Sequence, residues 1–194
     1  MSLSHRCVWR FLAIHMYDIY DNARDNAWRF TLGKHGMRPL ITVGLNPSTA
    51  TAEQSDTTIA KVDGVARRHG FDGFIMLNLY PVRATDYNAL PMTPDATAFE
   101  QNLARIETVV STLTRPVLWA AWGESVLARP FFIEAALALH ARLVRLGAQW
   151  QHLGQMTRSG HPRHPSRLHY AWSFSPMDAD HYFGRLAERA GVAR

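Results

Sequence analysis

The chain has 194 residues, is 47% hydrophobic and carries a formal net charge of +5 at pH 7, which predicts one domain, 1–194, with a substantial core. Its one cysteine, Cys7, excludes disulfides within the chain and four-thiolate iron–sulfur clusters, as is typical of proteins of the reducing cytoplasm. No apolar run approaches the roughly 18 residues of a spanning helix, and the amino terminus lacks the apolar core of a signal peptide, so we expect a cytoplasmic protein without membrane contact.

The first 79 residues predict an extension, three strands and one helix. Residues 1–27 are rich in aromatic side chains without a clear period, and we expect them to form an N-terminal extension packed on the domain. Trp28–Leu32 alternates like an edge strand, and Leu40–Leu45 has the continuous apolar run of a buried strand. A helical pattern runs from Asp56 to Gly70, and Gly73–Leu79 is the next buried strand.

The rest of the chain continues the alternation of helices and strands. A helical pattern from Thr93 to Val110 opens with a capping hydroxyl and a proline, which favour a helix start. Val117–Gly123 predicts a third buried strand, and an apolar stripe at helical spacing follows over Phe132–Leu146. Trp150–Leu153 predicts a short fourth strand, and the last helix begins near Asp178.

Strands separated by helices form βαβ units, which place a parallel sheet between two layers of helices. The expected fold is therefore α/β, a three-layer α/β/α sandwich with a central, mainly parallel four-stranded sheet. The irregular stretch from Gly154 to Ser175 interrupts this pattern. Loops of that length in compact domains are usually functional or disordered.

The stretch from Ala135 to Met177 contains no acidic residue. It contains five histidines and five arginines, Arg142, Arg145, Arg158, Arg163 and Arg167. Such a segment is either a solvated surface or a surface that binds a polyanion. The second interpretation is favoured because the stretch includes His164–Leu168, which places an imidazole, a proline, a hydroxyl and a leucine in fixed order on one loop.

Two short motifs resemble, in sequence and in order, the active-site motifs of the uracil-DNA glycosylase superfamily. Gly44 to Ser48 follows a predicted strand and resembles G-x-[ND]-P, and His164 to Leu168 resembles H-P-S-x-L. Between them, Leu77-Asn78 resembles the end of the second strand of that superfamily and Trp122-Gly123 the end of its third. The resemblance extends from about Leu40 to Phe183 and implies a uracil-DNA-glycosylase-like fold.

A wider set of segments is similar to a bacterial and phage family described only as a domain of unknown function. These segments are Asn46–Ala50, Asp56–Thr58, Asn78–Tyr80, Arg83–Thr85, Ala121–Gly123 and Gly160–Pro165. That family supplies no mechanism, so the expected chemistry comes from the glycosylase motifs.

The glycosylase resemblance implies hydrolysis of the N-glycosidic bond of a base that is flipped out of DNA. It assigns to Asn46 the positioning of the attacking water, which an amide does by accepting a hydrogen bond rather than by acting as a strong base. Asp56 is the candidate carboxylate for an assisting role, and it is at least as well suited to cap the following helix. Gly44, Leu45 and Pro47 would form the wall of the base pocket.

The resemblance assigns to His164 a hydrogen bond to the carbonyl oxygen of the base, where negative charge accumulates as the bond breaks. One such donor in a dry site is worth about 3 kcal/mol of barrier. Asn78 would recognise the hydrogen-bonding edge of the pyrimidine, and because an amide offers a donor and an acceptor, uracil-like and cytosine-like bases both stay open. Tyr80 is a candidate stacking partner for the base.

The resemblance aligns Ser48 with a tyrosine of strict uracil glycosylases, and that tyrosine blocks the 5-position of the base. A serine leaves that space open, so we expect a 5-substituted pyrimidine as substrate, including a hydroxymethylated or sugar-bearing cytosine of the kind found in phage DNA. Small residues at this position also occur in mismatch-type thymine and uracil glycosylases, so a mismatched base stays open as an alternative.

The second motif and its surroundings supply the expected contacts to DNA. Arg158, Arg163, Ser166 and Arg167 are candidate contacts to backbone phosphates. Leu168 matches the wedge that fills the gap left by a flipped base. Arg167 stands where many relatives have proline, and its guanidinium group adds a cation to the loop.

We therefore expect a monofunctional DNA glycosylase, a monomer without metal or cofactor, that acts on double- or single-stranded DNA in restriction of modified phage DNA or in base-excision repair. No lysine lies close to either motif, which argues against a Schiff-base lyase step. His161, His164 and His169 lack the cysteine or acidic partners of a zinc site. Two other functions stay open: a DNA-binding module that lost catalysis, because Asn46 replaces an aspartate, and an enzyme that acts on free nucleotides.

Overall fold

The computed structural model describes residues 15–191, which form one sheet with helices on both of its faces. The strands are β1 Ile19–Ala23, β2 Trp28–Lys34, β3 Pro39–Gly44, β4 Gly73–Asn78, β5 Val117–Ala120, β6 Gln149–Leu153 and β7 Phe174–Pro176. The α-helices are α1 Thr57–Arg68, α2 Ala96–Ser111, α3 Pro130–Leu143 and α4 Ala179–Arg189. None of these helices has the length and apolar character needed to cross a membrane.

The sheet of the described residues has seven strands in the order β1-β2-β4-β3-β5-β6-β7. Its central strands, β4-β3-β5-β6, are parallel to one another. β1 and β2 are antiparallel additions at one edge, and β7 is an antiparallel addition at the other. The predicted mixed α/β fold with a mainly parallel centre is confirmed, whereas the predicted number of four strands is too small.

The three antiparallel strands at the two edges, β1, β2 and β7, account for the difference. β1 lies inside the segment predicted as an extension and pairs with β2, so the alternating segment Trp28–Leu32 is not the edge strand that its pattern predicts. β7 lies at the end of the irregular stretch and contains Pro176, which lacks an N–H and suits an edge. Both strands carry polar or proline residues that are rare in strands. Residues 1–14 of the expected extension lie outside the described residues.

Helices form a layer on each face of the sheet. α1 covers the face reached by Met76 and Trp119. The other three helices cover the opposite face, reached by Leu77 and Ala120. Because successive side chains of a strand point to opposite faces, the same strands supply both cores, and the arrangement has the three layers expected from the βαβ alternation.

Aspartates determine where three of the helices begin. Asp56, Asp95 and Asp178 each accept a hydrogen bond from the backbone N–H three residues later. Each cap satisfies a donor at the start of a helix and contributes about 1 kcal/mol. The helical pattern that extends to Leu146 divides in the structure into α3 and a 3-10 turn, Val144–Leu146.

Three parallel strands end side by side at one edge of the sheet. β3 and β4 pair in register, with Gly44 opposite Asn78. Directly after β5, the N–H of Ala121 donates to the carbonyl oxygen of Val43 at 2.8 Å. The first motif, Asn78 and Gly123 therefore share the carboxyl edge of the parallel strands, where ligands of open α/β sheets bind.

Candidate active site

A cavity of about 670 Å³ opens at this edge of the sheet. Both sequence motifs line it, with Asn46 and Ser48 from the first and His164, Ser166 and Arg167 from the second. Pockets for small molecules typically measure about 300–1,000 Å³. The fold thus brings the two motifs to one cavity of sufficient volume for a nucleobase and its surroundings.

Asn46 follows β3, and backbone carbonyl groups orient its amide. Nδ2 donates to the carbonyl oxygens of Pro47 at 3.1 Å and of Ala84 at 2.9 Å. Because these bonds use both amide hydrogens, Oδ1 is the atom of this side chain that is left to accept a hydrogen bond at the cavity. This is the orientation that a water-positioning role requires.

Asp56 also lines the cavity, and backbone groups engage both of its carboxylate oxygens. Oδ1 accepts from the N–H of Ile59 at 2.8 Å, and Oδ2 accepts from the N–H of Ala50 at 3.2 Å. The interpretation of Asp56 as a helix cap is therefore confirmed. An assisting role in catalysis would use the remaining lone pairs of the same oxygens and stays a prediction.

The turn that contains His164 determines which of its nitrogens carries a proton. Nδ1 lies 2.9 Å from the hydroxyl oxygen of Ser166 and accepts from the backbone N–H of Ser166 at 3.3 Å. With Nδ1 as an acceptor, the neutral ring carries its proton on Nε2. Burial lowers the pKa of His164; the Asp56 carboxylate opposes this shift, and the Arg167 guanidinium adds to it. At neutral pH, His164 is therefore a neutral Nε2–H donor.

Gly123 allows the second motif to approach the end of β5. Its φ of +73° is a left-handed conformation that suits glycine. A Cβ atom at this position would lie 3.1 Å from Cβ of His164. Any other residue at position 123 would strain the backbone and press against the loop that carries His164.

Asn78 ends β4 and is fully buried in the wall of the cavity. Neither its Nδ2 nor its Oδ1 has a hydrogen-bond partner. An unsatisfied buried polar group costs about 1–3 kcal/mol, so this amide presents a costly unpaired donor and acceptor to an occupant of the cavity. Gly44 leaves room for it, because a Cβ at position 44 would lie 2.9 Å from Oδ1 of Asn78.

Ser48 and Thr85 contribute two small hydroxyl groups to the wall of the cavity. The Ser48 hydroxyl lies 3.4 Å from that of Thr85, and both residues line the cavity. Tyr87, which sequence reasoning did not single out, lines it as well. Tyr87 lies in a 3-10 turn between β4 and α2. Because no strand or helix periodicity applies there, the sequence gives no indication of the direction of its side chain.

Two residues predicted to contact the base or the DNA are buried in the core instead. Tyr80 is fully buried, packs against Phe131 with ring centroids 4.9 Å apart, and accepts the N–H of Asp95 at 2.8 Å through its hydroxyl. Leu168 is only 8% exposed and belongs to the core under α1. The predicted stacking and wedge roles do not fit these positions, because order along the chain does not determine the direction of a side chain.

The predicted phosphate contacts lie together at the cavity. Arg158, Arg163 and Arg167 line it, and the first and last of them are exposed. None of the three forms an ion pair within residues 15–191. Glu124 lines the same cavity, and hydrogen bonds, above all from the Ser159 hydroxyl, lower the pKa of its carboxyl group. The surface is thus basic, and it also contains the carboxylates of Glu124 and Asp56.

Arg29 is a further lining residue that sequence reasoning missed. It lies in β2, is 2% exposed and reaches the cavity. A charged residue in a strand near the edge of a sheet is normally exposed, so its alternation with Trp28 and Phe30 gave no reason to expect it at a site.

The histidines at positions 161, 164 and 169 are separately engaged. Nδ1 of His161, which is buried, lies 3.1 Å from the hydroxyl of Tyr182, and that hydroxyl accepts the indole N–H of Trp122 at 2.8 Å. Nδ1 of His169 accepts the N–H of Ala171 at 3.3 Å. In the described part of the chain, no three histidine, cysteine or acidic side chains form a group that could hold a metal ion.

Comparison with known proteins adds one match. Residues 28–166 match a family described as "Protein of unknown function (DUF1643)". No curated protein and no solved structure matches the chain. The matched segment includes Asn46, Asn78, Gly123 and His164, and therefore most of the residues that form the cavity.

Proposed function

The chain belongs to the DUF1643 family, whose description gives no activity, and we propose that it is a monofunctional DNA glycosylase of uracil-DNA-glycosylase-like fold. The observation that carries this proposal is the meeting of Asn46, Asn78 and His164 at one cavity. These side chains come from the ends of two strands and from a distant loop, in the order in which the glycosylase motifs occur.

Recognition of the base is assigned to Asn78. A pyrimidine flipped out of DNA loses its Watson–Crick partner and must find hydrogen bonds in the pocket that receives it. The buried amide of Asn78, with Nδ2 and Oδ1 both unpaired, offers one donor and one acceptor to the edge of that base. Tyr87 supplies aromatic surface at the same cavity.

Hydrolysis breaks the bond between C1′ of the sugar and the base nitrogen and forms a bond from C1′ to the oxygen of water. The electron pair of the broken bond goes to the base, and the neutral Nε2–H of His164 stabilises the charge that accumulates on the base carbonyl. Oδ1 of Asn46 accepts a hydrogen bond from the attacking water. That water loses one proton, through solvent or the Asp56 carboxylate, and the released base takes one up. An amide orients water without removing its proton, so we expect slow turnover.

The space beside Ser48 favours a base with a substituent at its 5-position. Ser48 and Thr85 place two small hydroxyl side chains in the lining of the cavity, and a tyrosine at position 48 would occupy more of its space. Modified cytosines of phage DNA have such substituents, and thymine has a methyl group there. Restriction of modified phage DNA is the role we propose first, and mismatch repair is the alternative within the same activity.

Binding of the DNA backbone is assigned to Arg158, Arg163 and Arg167. Their guanidinium groups form no ion pair within the described residues and flank the cavity. Ser166 adds a hydroxyl group that is a candidate contact to a DNA phosphate, although that hydroxyl also bonds to His164. Leu168 is left out of the proposed interface because it is buried.

The test is incubation of the protein with oligonucleotides that each carry one pyrimidine, together with phage DNA that contains hydroxymethylated or glucosylated cytosine. Hot alkali then cleaves the strand at any abasic site. We expect strand cleavage after alkali and none before it, because a monofunctional enzyme leaves the sugar in place. Intact strands for every substrate would overturn the proposal.

One observation favours a second function, DNA binding without catalysis. Asp56 is the candidate carboxylate for assisting Asn46, and both of its oxygens already accept backbone N–H groups, from Ile59 and from Ala50. An amide with its candidate carboxylate engaged in this way has weak means to activate water. Binding of modified oligonucleotides without release of any base would establish this second function, and release of any base would exclude it.

A further inference from the structure

Arg29 places a buried guanidinium at the cavity. It lines the cavity and is 2% exposed. Nη1 donates to the carbonyl oxygen of Ala50 at 3.2 Å, and Nε is buried without a hydrogen-bond partner. No ion pair within residues 15–191 includes Arg29. A buried cation therefore lacks a contacting counter-charge at the place where a ligand would lie.

The surroundings of Arg29 disfavour its charge. Burial and, to a smaller extent, the neighbouring Arg83 lower the pKa of Arg29 to about 10, although the Asp56 carboxylate opposes both. The guanidinium is still charged at neutral pH. A buried charge is costly unless it is paired, so an anion bound in the cavity would offset the cost of burying this cation.

The hydrogen bond from Arg29 to the carbonyl oxygen of Ala50 does not explain why Arg29 is buried. Arg83 donates to the same oxygen through Nη1 at 2.8 Å and Nη2 at 2.9 Å. Both bonds are shorter than the one from Arg29, and Arg83 is not among the residues that line the cavity. Two arginines thus share one structural contact, and only one of them reaches the site.

We propose that Arg29 binds a negatively charged group of the substrate, so that the cavity selects anionic pyrimidine ligands over neutral ones. This inference rests on the proposed function for the choice of a pyrimidine. The negative charge has two sources in such a ligand, an acidic substituent on the base or the phosphate of the nucleotide. A planar guanidinium with unpaired N–H groups suits a carboxylate and a phosphate alike.

Two pairs of small ligands separate these sources. Uracil-5-carboxylate against uracil tests the acidic substituent, and deoxyuridine monophosphate against deoxyuridine tests the phosphate. Isothermal titration calorimetry measures the dissociation constant of each ligand with the full chain at neutral pH. We expect the anion of at least one pair to bind about 10- to 100-fold more tightly, as one charge-assisted hydrogen bond predicts. Equal affinity within both pairs, or no binding of any ligand, would overturn the proposal.

Arg83 provides the matched control. Arg29→Gln should abolish the preference for the anion, whereas Arg83→Gln should keep it, because both variants lose hydrogen bonds to the Ala50 carbonyl and only the first loses a cation at the cavity. Arg29→Lys keeps the positive charge and should keep part of the preference, and thermal unfolding of each variant monitors folding. A preference that persists in Arg29→Gln, or that Arg83→Gln abolishes equally, rejects the role assigned to Arg29.

The two proposals fail separately, because ligand binding requires no bond cleavage. If no oligonucleotide releases a base while the anion preference depends on Arg29, the glycosylase proposal is wrong and the anion site stands. If bases are released while uncharged ligands bind as well as anions, the glycosylase proposal stands and the anion site is wrong.

Discussion

The two sides of the cavity differ in how their residues are held. On the strand side, Gly44 and Asn78 belong to paired, buried strands, and the amide of Asn78 has no partner. On the loop side, His164 is oriented by hydrogen bonds within its own short turn, next to the exposed Arg158 and Arg167. The strand side is suited to recognise a ligand of fixed shape, and the loop side supplies charge and a proton donor.

The largest effect is expected from removing one polar group on each side, Asn46→Ala and His164→Ala. Each should lower the single-turnover rate of base release by about 10²–10³-fold, the value of one preorganised polar group, with DNA affinity little changed. His169→Ala is the control, because His169 is exposed and does not line this cavity. A near wild-type rate in either test variant would remove that residue from the mechanism.

The next largest effect concerns DNA affinity and the loop side alone. Replacement of Arg158, Arg163 and Arg167 by alanine should weaken binding and reduce the slope of log K against log salt by about 2–3, since each phosphate contact in duplex DNA contributes about 0.9. Fluorescence anisotropy over a salt series measures both quantities.

A control with equal loss of charge is Arg24, Arg115 and Arg145 changed together, because all three are exposed and none lines the cavity. If both triple variants change the slope equally, the effect is one of net charge, and the loop side is not the DNA-binding surface.

Ser48→Tyr sharpens the comparison on the strand side, because a phenol ring there fills the space beside the 5-position. The ratio of single-turnover rates on a 5-substituted cytosine and on uracil should fall by about tenfold or more. The ratio cancels any general loss caused by strain. A ratio that does not change would show that this opening does not determine specificity.

The smallest effect is expected from Ser166→Ala on the loop side. The Ser166 hydroxyl stabilises the neutral form of His164, so its loss should raise the pKa of His164 and move the acidic limb of the rate profile to higher pH. At neutral pH, the rate should fall less than about tenfold, the value of one hydrogen bond. NMR titration of the imidazole and Ser166→Thr, which restores the hydroxyl, test this; a pKa that does not rise contradicts it.

Local signals in the sequence predict the helices and the centre of the sheet. Capping aspartates such as Asp56 and Asp178 act within one turn of chain, and the apolar runs of β3 and β4 reflect burial on both faces. β1 and β7 are short and polar, and they exist because an open neighbouring strand offers hydrogen bonds. Their presence depends on pairing that no local pattern encodes.

The residues of the candidate site also divide into those that local signals in the sequence predict and those that they do not. Asn46, Asn78 and His164 were predictable because a motif fixes their type and a strand end or loop fixes their place. The burial of Leu168 and the inward direction of Arg29 were not, because both depend on which segments cover a face of the sheet. In β2, an arginine between two core residues indicates a solvent-facing position only where nothing packs on that face.

The hydroxyl of Tyr182 accepts the indole N–H of Trp122 and bonds to His161, although Tyr182 lies in α4, beyond residue 166, where the family match ends. A fragment limited to residues 28–166 would leave the buried indole N–H of Trp122 without its partner, at a cost of about 1–3 kcal/mol, and would also lose β1, β7 and α4. The unit that folds is therefore larger than the unit that the family match outlines, and residues on both sides of that outline belong in any version of this protein intended for activity measurements.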